Sequence, residues 1–310
     1  MQLNISIIIP FLNEEGNIEN LARELTDFTR NHSSLSFEII LVNDGSTDRS
    51  VLKINNAHFP KNTKLINLSQ NYGSHAALRA GILNATAEYI AFLYADLQDP
   101  LENIIAMYSE IIKGNDIIWA NRVGVNNSFS EKLFSHVYSK LMQKYVNSNY
   151  PKKGFDIVMF NNKVQIQLNK NIEANSSIFL QILNLGFKSD FIEYSKRERV
   201  SGISKWTISK KIKLFIDSFV AFSFVPIRFV SLVGILFFIV GVLWSFYIFS
   251  RKLLYDDLLT GWAAITSILL LGFGITNISL GIIAEYLWRT LDASRKRPVF
   301  IIDEIIDLNK

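Results

Sequence analysis

The chain has 310 residues, 49% of them hydrophobic and 19% charged, no cysteine, and a net charge of +4 from 32 basic and 28 acidic residues. So apolar a chain can bury enough surface to offset its ordering entropy, which excludes intrinsic disorder; its length suits one large domain, or an ordinary one with an appendage. Without cysteine there is no disulfide scaffold, cysteine zinc site or cysteine nucleophile, and so mild a charge gives no reason to expect a nucleic-acid partner.

Short runs rich in Ile, Val, Leu and aromatics predict strands at Ile5–Ile9, Glu38–Val42, Lys64–Leu68, Tyr89–Leu93 and Asp116–Ala120. Between them, amphipathic stretches at Asn17–Arg30, Ser74–Asn84 and Leu101–Lys113 predict helices. Apolar strands separated by helices indicate an α/β fold with a mainly parallel sheet covered on both faces, and ligands in such sheets bind outside the carboxyl ends of the strands. Asn13-Glu14-Glu15 follows the first strand and, by ending its short apolar run, argues against a signal peptide.

Asn43-Asp44-Gly45-Ser46-Thr47-Asp48 follows the second strand, and Asp96, Gln98 and Asp99 follow the fourth. Neither Gly-x-Gly-x-x-Gly nor Gly-x-x-x-x-Gly-Lys is present, which argues against a dinucleotide-binding or P-loop enzyme. The strand ends are rich in carboxylates instead. Carboxylates facing a phosphate ligand require a bridging cation, and hard oxygen ligands favour Mg²⁺ or Mn²⁺ over zinc. Each motif also has a plainer reading: Ser46 or Asp48 as a helix cap, Asn71 and Gly73 as turn formers, Asp96 as a cap before Pro100. His32, His58, His75 and His136 show no metal-ligand spacing, and surface or capping roles suit them better.

The last third changes character. Trp206, Ile208, Ile212, Phe215, Ile216 and Phe219 recur at helical spacing with Lys210, Lys211 and Lys213 between them. This predicts an amphipathic juxtamembrane region over 201–227, the alternative being an ordinary surface helix. Two uncharged runs, about 229–250 and 258–284, follow, each long enough as a helix to cross a bilayer. They predict a membrane hairpin over 228–290, leaving 1–200 as the catalytic domain and 291–310 as a tail. Basic residues flank the pair at Lys205, Lys210, Lys211, Lys213 and Arg228, and again at Arg289, Arg295, Lys296 and Arg297. The positive-inside rule then expects a multi-pass protein of the plasma membrane with its catalytic domain and both termini in the cytoplasm. Gly234 with Gly241, and Gly272 with Gly274, suit close helix packing within a chain or in a homo-oligomer.

Ile7-Ile8-Ile9-Pro10 with Asn13-Glu14, then Asn43-Asp44-Gly45-Ser46-Thr47-Asp48, Asn71-Tyr72-Gly73 with Ala77 and Gly81, and Ala95-Asp96-Leu97-Gln98-Asp99-Pro100 resemble family 2 glycosyltransferases. With Arg199-x-x-Gly202-x-Ser204-Lys205 and two C-terminal apolar runs, the resemblance is to the polyprenyl-phosphate branch. It implies a GT-A fold, a Rossmann-like variant of the α/β sheet. It also implies transfer of one sugar, with inversion, from a nucleotide-diphosphate sugar to a polyprenyl phosphate such as undecaprenyl phosphate; uridine is the commoner base among bacterial relatives.

Carried over position by position, the resemblance makes Pro10, Asn13, Glu14, Asp44, Asn71, Gly73, Ala95, Asp96, Arg199 and Lys205 donor-binding. Asp96 with Gln98 would hold the metal, Arg122 would meet the acceptor phosphate, and Asp96, Arg122 and Lys205 would serve catalysis. A lipid phosphate with a second pKa of about 6 is already anionic at neutral pH, so no general base is assigned. Two departures stand out: Tyr94 occupies the place of the metal motif's first aspartate, with Asp99 a candidate substitute, and in Gly154-Phe155-Asp156-Ile157 the arginine that relatives often carry near the acceptor is replaced by acid or shifted. Alternatives are a processive polysaccharide synthase, which would want more spans and a Gln-x-x-Arg-Trp motif, and a catalytically weak scaffold of the same fold.

Overall fold

The computed structural model describes residues 4–123, 129–151, 157–172, 176–197, 225–255, 261–295 and 297–308. Expectations for Arg199, Lys205, Asp156 and the amphipathic stretch 201–224 fall outside these residues. The chain divides into two compact units, Met1–Asp217 with Pro298–Lys310, and Ser218–Arg297.

In the first unit, β1 (Ile5–Phe11), β2 (Phe37–Asn43), β3 (Thr63–Leu68) and β4 (Tyr89–Phe92) run parallel in the order β4-β1-β2-β3. Every residue of β1 and β2 is buried, as expected of strands covered on both faces. The connecting helices are α1 (Ile18–Asn31), α2 (Ser50–Asn56) and α3 (Ser74–Asn84), and α4 (Glu102–Ile111) leads from β4 to β5 (Ile117–Val123). The five predicted strands and three predicted helices are therefore present, each within a few residues of its expected ends.

Three features extend the expected sheet. After α5 (Phe129–Tyr145), β6 (Ile157–Asn161) inserts between β4 and β5, antiparallel to both. Following α6 (Asn162–Lys170) and α7 (Ile178–Asn184), β7 (Ser189–Ser195) joins the far side of β5 in parallel. Finally β8 (Ile302–Asp307) lies antiparallel on β3, completing the order β7-β5-β6-β4-β1-β2-β3-β8. The sequence reading placed 291–310 as a tail outside the sheet. Instead, the exposed edge of β3 offers unpaired backbone groups, and β8 takes them up, with Ser69 N donating to Ile301 O at 3.0 Å and Leu308 N to Thr63 O at 3.0 Å.

Two observations explain the fit of the layers. Helix α3 lies so close to the sheet that a Cβ on Gly81 would stand 2.3 Å from Ile8 Cγ2, so only glycine allows that approach. At the opposite edge from the strand carboxyl ends, the Glu38 carboxylate is buried yet fully engaged. It accepts from the Ser6 hydroxyl, from Thr86 N at 2.8 Å and Thr86 Oγ1 at 2.9 Å, and pairs with Lys64 Nζ at 2.7 Å. Burial pushes its pKa upward, but these hydrogen bonds outweigh burial and hold it below the usual glutamate value.

The second unit holds α8 (Val225–Tyr255) and α9 (Trp262–Ser294), which pack against each other. Over their described residues both expected spans are thus helical, and both expose large apolar side chains, among them Phe229, Leu232 and Phe246 on α8 and Leu271, Phe273 and Ile278 on α9. Among the described residues one window, Leu271–Trp288, is long and apolar enough to cross a membrane; on α8 the apolar stretch Arg228–Gly241 is shorter.

Candidate functional site

The carboxyl ends of β1, β2, β3, β4 and β5 all point to one edge of the sheet, so the loops that follow them converge there. The loops after β1 and β2 are sewn together. Asn13, in the left-handed region with φ 52°, accepts from Thr47 N at 2.7 Å and Asp48 N at 3.3 Å, and its own N–H donates to Ser46 Oγ at 3.0 Å. Glu14 N donates to Ser50 Oγ at 2.9 Å, and the Glu14 carboxylate accepts from Asn17 Nδ2 at 2.7 Å. Asp48 accepts from Glu15 N at 3.1 Å and Ser50 N at 2.9 Å. Partial burial opposes its ionisation, yet these bonds hold its pKa below the ordinary aspartate value. Asp48 thus braces the turn that leads into α2, whose N-cap position is Arg49 without a side-chain cap.

Asp44 ties in the third loop. Its buried carboxylate accepts from Tyr72 N at 2.8 Å and from Gly73 N at 3.0 and 3.1 Å. Burial raises its pKa, and the two amide donors only partly offset that rise. Gly73, at φ 93°, also donates to Asn71 Oδ1 at 3.1 Å, so Asn71 shapes the turn that opens α3. Gly45 must be glycine, since at φ 72° a Cβ would meet Asn71 N at 2.6 Å. Asn13, Glu14, Asp44, Asn71 and Gly73, all expected at the donor, are thus brought together as one braced cluster, with Pro10 inside β1 at the Val42 register.

The loop after β4 carries the expected metal residues. Ala95 is buried, Leu97 takes φ 55°, and Leu97 N donates to Tyr94 O at 3.3 Å, forming a tight turn. Asp96, at its tip, is half-buried and accepts from Gln98 N at 3.3 Å. Helix α4 starts at Glu102 with no side-chain cap, so the capping alternative for Asp96 is not what the fold uses. Asp99 is buried and serves the sheet instead. It accepts from the Tyr194 hydroxyl on β7 and lies 3.5 Å from Lys196 Nζ, which makes it a poor substitute for the missing first aspartate. Beside it, Gln98 O accepts from Arg197 N at 2.8 Å.

Among the described residues no group of three or more His, Asp or Glu side chains is gathered as a metal cage. Asp96 with Gln98 therefore fits a divalent ion only where phosphate oxygens and water complete the shell, a donor set suited to Mg²⁺ or Mn²⁺ and unsuited to a preformed zinc site. Arg122 lies near the end of β5, at the Tyr194 register of β7. An open cleft of about 620 Å³ adjoins the braced cluster, lined by Gly45, Ser46, Asn67, Gln70, Asn71 and, from β8, Asp303 among others. His75, expected in a surface or capping role, instead has both ring nitrogens buried without a hydrogen-bond partner, and Asn121, which the sequence did not single out, has its Oδ1 in the same state. No local motif marks either of them; only the packing of distant elements does.

The site therefore sits at the carboxyl edge of a mainly parallel α/β sheet, carboxylate-rich and without a glycine-rich phosphate loop. The chain belongs to glycosyl transferase family 2, whose model matches residues 6–169. It is 31% identical over 305 residues to the uncharacterized glycosyltransferase YkcC of Bacillus subtilis (strain 168), covering 97% of this chain and 94% of that one. It is 29% identical to the prophage bactoprenol glucosyl transferase homolog of Escherichia coli (strain K12), covering 98% and 99% of the two chains. With the undecaprenyl-phosphate 4-deoxy-4-formamido-L-arabinose transferase of Photorhabdus laumondii it shares 27% identity, covering 99% and 95%. These relatives bear out the resemblance to the polyprenyl-phosphate branch. The fold also matches glucosyl-3-phosphoglycerate synthase from Mycobacterium tuberculosis, solved with Mn²⁺, UDP and phosphoglyceric acid, at TM-score 0.50 and 14% identity over 69% of this chain and 75% of that one.

Proposed function

We propose that this glycosyltransferase moves a single sugar, with inversion, from a nucleotide-diphosphate sugar, most simply a UDP-sugar, to the phosphate of undecaprenyl or a related polyprenyl phosphate at the cytoplasmic face of the plasma membrane. The observation that carries the reading is Asp96: a half-buried carboxylate at the tip of the β4 turn, not used as a helix cap, beside loops braced around Asp44. Asp96 and Gln98 would hold Mg²⁺ or Mn²⁺ together with the donor phosphates, and the ion would supply charge to the departing diphosphate.

The remaining work falls to this chain's own groups. The loops joined by Asn13 and Asp44, with Pro10, Glu14, Asn71, Gly73 and Ala95, frame the nucleoside. Arg199 and Lys205 hold the donor diphosphate, and Arg122 holds the acceptor phosphate; Arg can grip phosphate bidentately and Lys acts as a point charge. The acceptor oxygen is already anionic, so attack needs no base, and a single displacement inverts the anomeric centre. Helices α8 and α9 act as the membrane hairpin, with both termini cytoplasmic.

Purified full-length protein with Mn²⁺, a panel of UDP- and GDP-hexoses and undecaprenyl phosphate should yield a lipid-linked monosaccharide by mass spectrometry. Products carrying several sugars per lipid would overturn single transfer in favour of a processive synthase. Tyr94, in place of the usual aspartate, favours a second reading, a catalytically weak scaffold; calorimetry showing no nucleotide-diphosphate binding with metal present would support it.

A further inference from the structure

The turn that carries Asp96 and Gln98 is held in an unfavourable shape. Leu97, between them, takes the left-handed region at φ 55° while its side chain is buried. A residue with a Cβ is strained there and stays only where its surroundings over-determine the backbone.

Both flanks of the turn supply that constraint. Upstream, the buried Leu93 donates its N–H to Ile8 O on β1 at 3.0 Å. Downstream, Gln98 O accepts from Arg197 N at 2.8 Å. The next residue, Asp99, has a wholly buried side chain that accepts from the Tyr194 hydroxyl and lies 3.5 Å from Lys196 Nζ. These downstream partners sit at the end of β7 or just past it. Strand β7 is itself fixed, pairing with β5 from Ser189 to Ser195 and placing Tyr194 opposite Arg122. In the sheet β6 and β5 separate β4 from β7, so the loop and the side chains that meet it bridge three strand spacings, about 14 Å.

Stability alone is a poor reason to bury a carboxylate here. A well-packed apolar side chain often stabilises a core as much as a buried ion pair does. What a charge-assisted hydrogen bond adds is one directional arrangement. At Asp99 that arrangement fixes the residue next to Gln98 and three positions from Asp96. Asp96 Oδ1 already accepts from Gln98 N at 3.3 Å, so the placing of both side chains follows the backbone of this turn. The exposed end of the same segment contributes less: the Arg197 guanidinium stands 3.2 Å from Glu24 and 3.3 Å from Glu102, and partly solvated pairs of this kind are weak.

We propose that Asp99 and Tyr194 are positioning residues, whose buried bond locks the strained turn after β4 in the shape that presents Asp96 and Gln98 together to a divalent ion. This rests on the reading of Asp96 and Gln98 as the metal residues. The test uses full-length protein in detergent and measures the affinity for UDP, and separately for GDP, by calorimetry across a Mn²⁺ titration, with the thermal midpoint of each variant.

In wild type the affinity for one nucleotide should rise with Mn²⁺, and Asp96→Ala should abolish the rise. Tyr194→Phe and Asp99→Leu should each raise the Mn²⁺ concentration for half-maximal effect about tenfold, while leaving metal-free nucleotide affinity within about twofold. Asp99→Asn, which still accepts from the Tyr194 hydroxyl, should recover part of the shift seen in Asp99→Leu. Glu38→Ala, which destabilises the opposite edge of the sheet, should lower the thermal midpoint and leave the Mn²⁺ requirement within about twofold. Should Asp99→Leu fail to fold, Tyr194→Phe, which removes a single oxygen, decides. An unchanged Mn²⁺ requirement in Tyr194→Phe, or an equal shift in Glu38→Ala, would overturn the assignment and leave Asp99 as a core ion pair, with the metal reading intact. If wild type shows no Mn²⁺ dependence, or Asp96→Ala retains it, the metal reading fails and takes the positioning assignment with it. If neither nucleotide binds at any Mn²⁺ concentration, the donor reading fails and both fall.

Discussion

The two edges of the sheet hold the same kind of side chain in opposite states. At the amino edge Glu38 is buried and its oxygens are met by Ser6, Thr86 and Lys64, so its charge is consumed by the fold. At the carboxyl edge Asp96 is half-buried on a tight turn, where Gln98 N approaches Oδ1 at 3.3 Å. A satisfied carboxylate cements a sheet, whereas one held on a turn outside the strand ends is placed for a ligand. Asp44 lies between these extremes: at the functional edge, yet bonded to the backbone of the loop that it positions.

The contrast can be broken from either side. Asp96→Ala should lower sugar transfer at least about 10³-fold, roughly 4 kcal/mol of barrier, with an unchanged thermal midpoint. Full activity in that variant would remove Asp96 from the mechanism. Glu38→Ala should do the reverse, costing about 3 kcal/mol of stability because Lys64, Ser6 and Thr86 lose their partner, with kcat little changed in the protein that remains folded.

The pH dependence sharpens the comparison. The folded pKa of His75 lies below its unfolded value, so its contribution is complete above about 6.5. It is lost as pH falls toward 4, amounting to as much as about 3 kcal/mol, and His75→Gln should remove that part of the slope in chemical denaturation. Glu38 follows the same sign at lower pH: its folded pKa is depressed, so its stabilisation is present above the unfolded glutamate value and fades below it.

Packing and loop bracing should give smaller effects. Gly81→Ala should cost about 2 kcal/mol, since the new methyl group overlaps Ile8, a stiff β-branched residue. Asp44→Asn, which keeps the shape but weakens two amide hydrogen bonds, should cost about 1 kcal/mol in denaturant titration while weakening nucleotide binding measurably. A weakening confined to stability would limit Asp44 to loop support.

Much of this molecule follows from contiguous residues. Buried runs such as Ile5–Phe11 and the helical spacing of Ile18, Leu21, Ala22 and Leu25 are local patterns, so strand and helix positions in the first 120 residues could be read directly. The loops that gather Asn13, Asp44 and Asp96 follow from strand ends, which the same periodicity locates. What it could not assign was the division of labour among neighbouring carboxylates. Asp99 looks as available as Asp96 until β7 arrives with Tyr194, 95 positions later.

Sequence by itself determined the alternation of strands and helices, the carboxylate-rich strand ends, and the apolar runs that became α8 and α9, because each depends on spacing within a few residues. Tertiary structure alone decided the antiparallel entry of β6, the return of β8 to the edge of β3, the engagement of Asp44 and Asp99, and the orphaned nitrogens of His75. All of these arise from pairings between distant segments. A hydrogen bond or a burial event joins groups by proximity in space, and no local period encodes which far part of the chain will supply the partner.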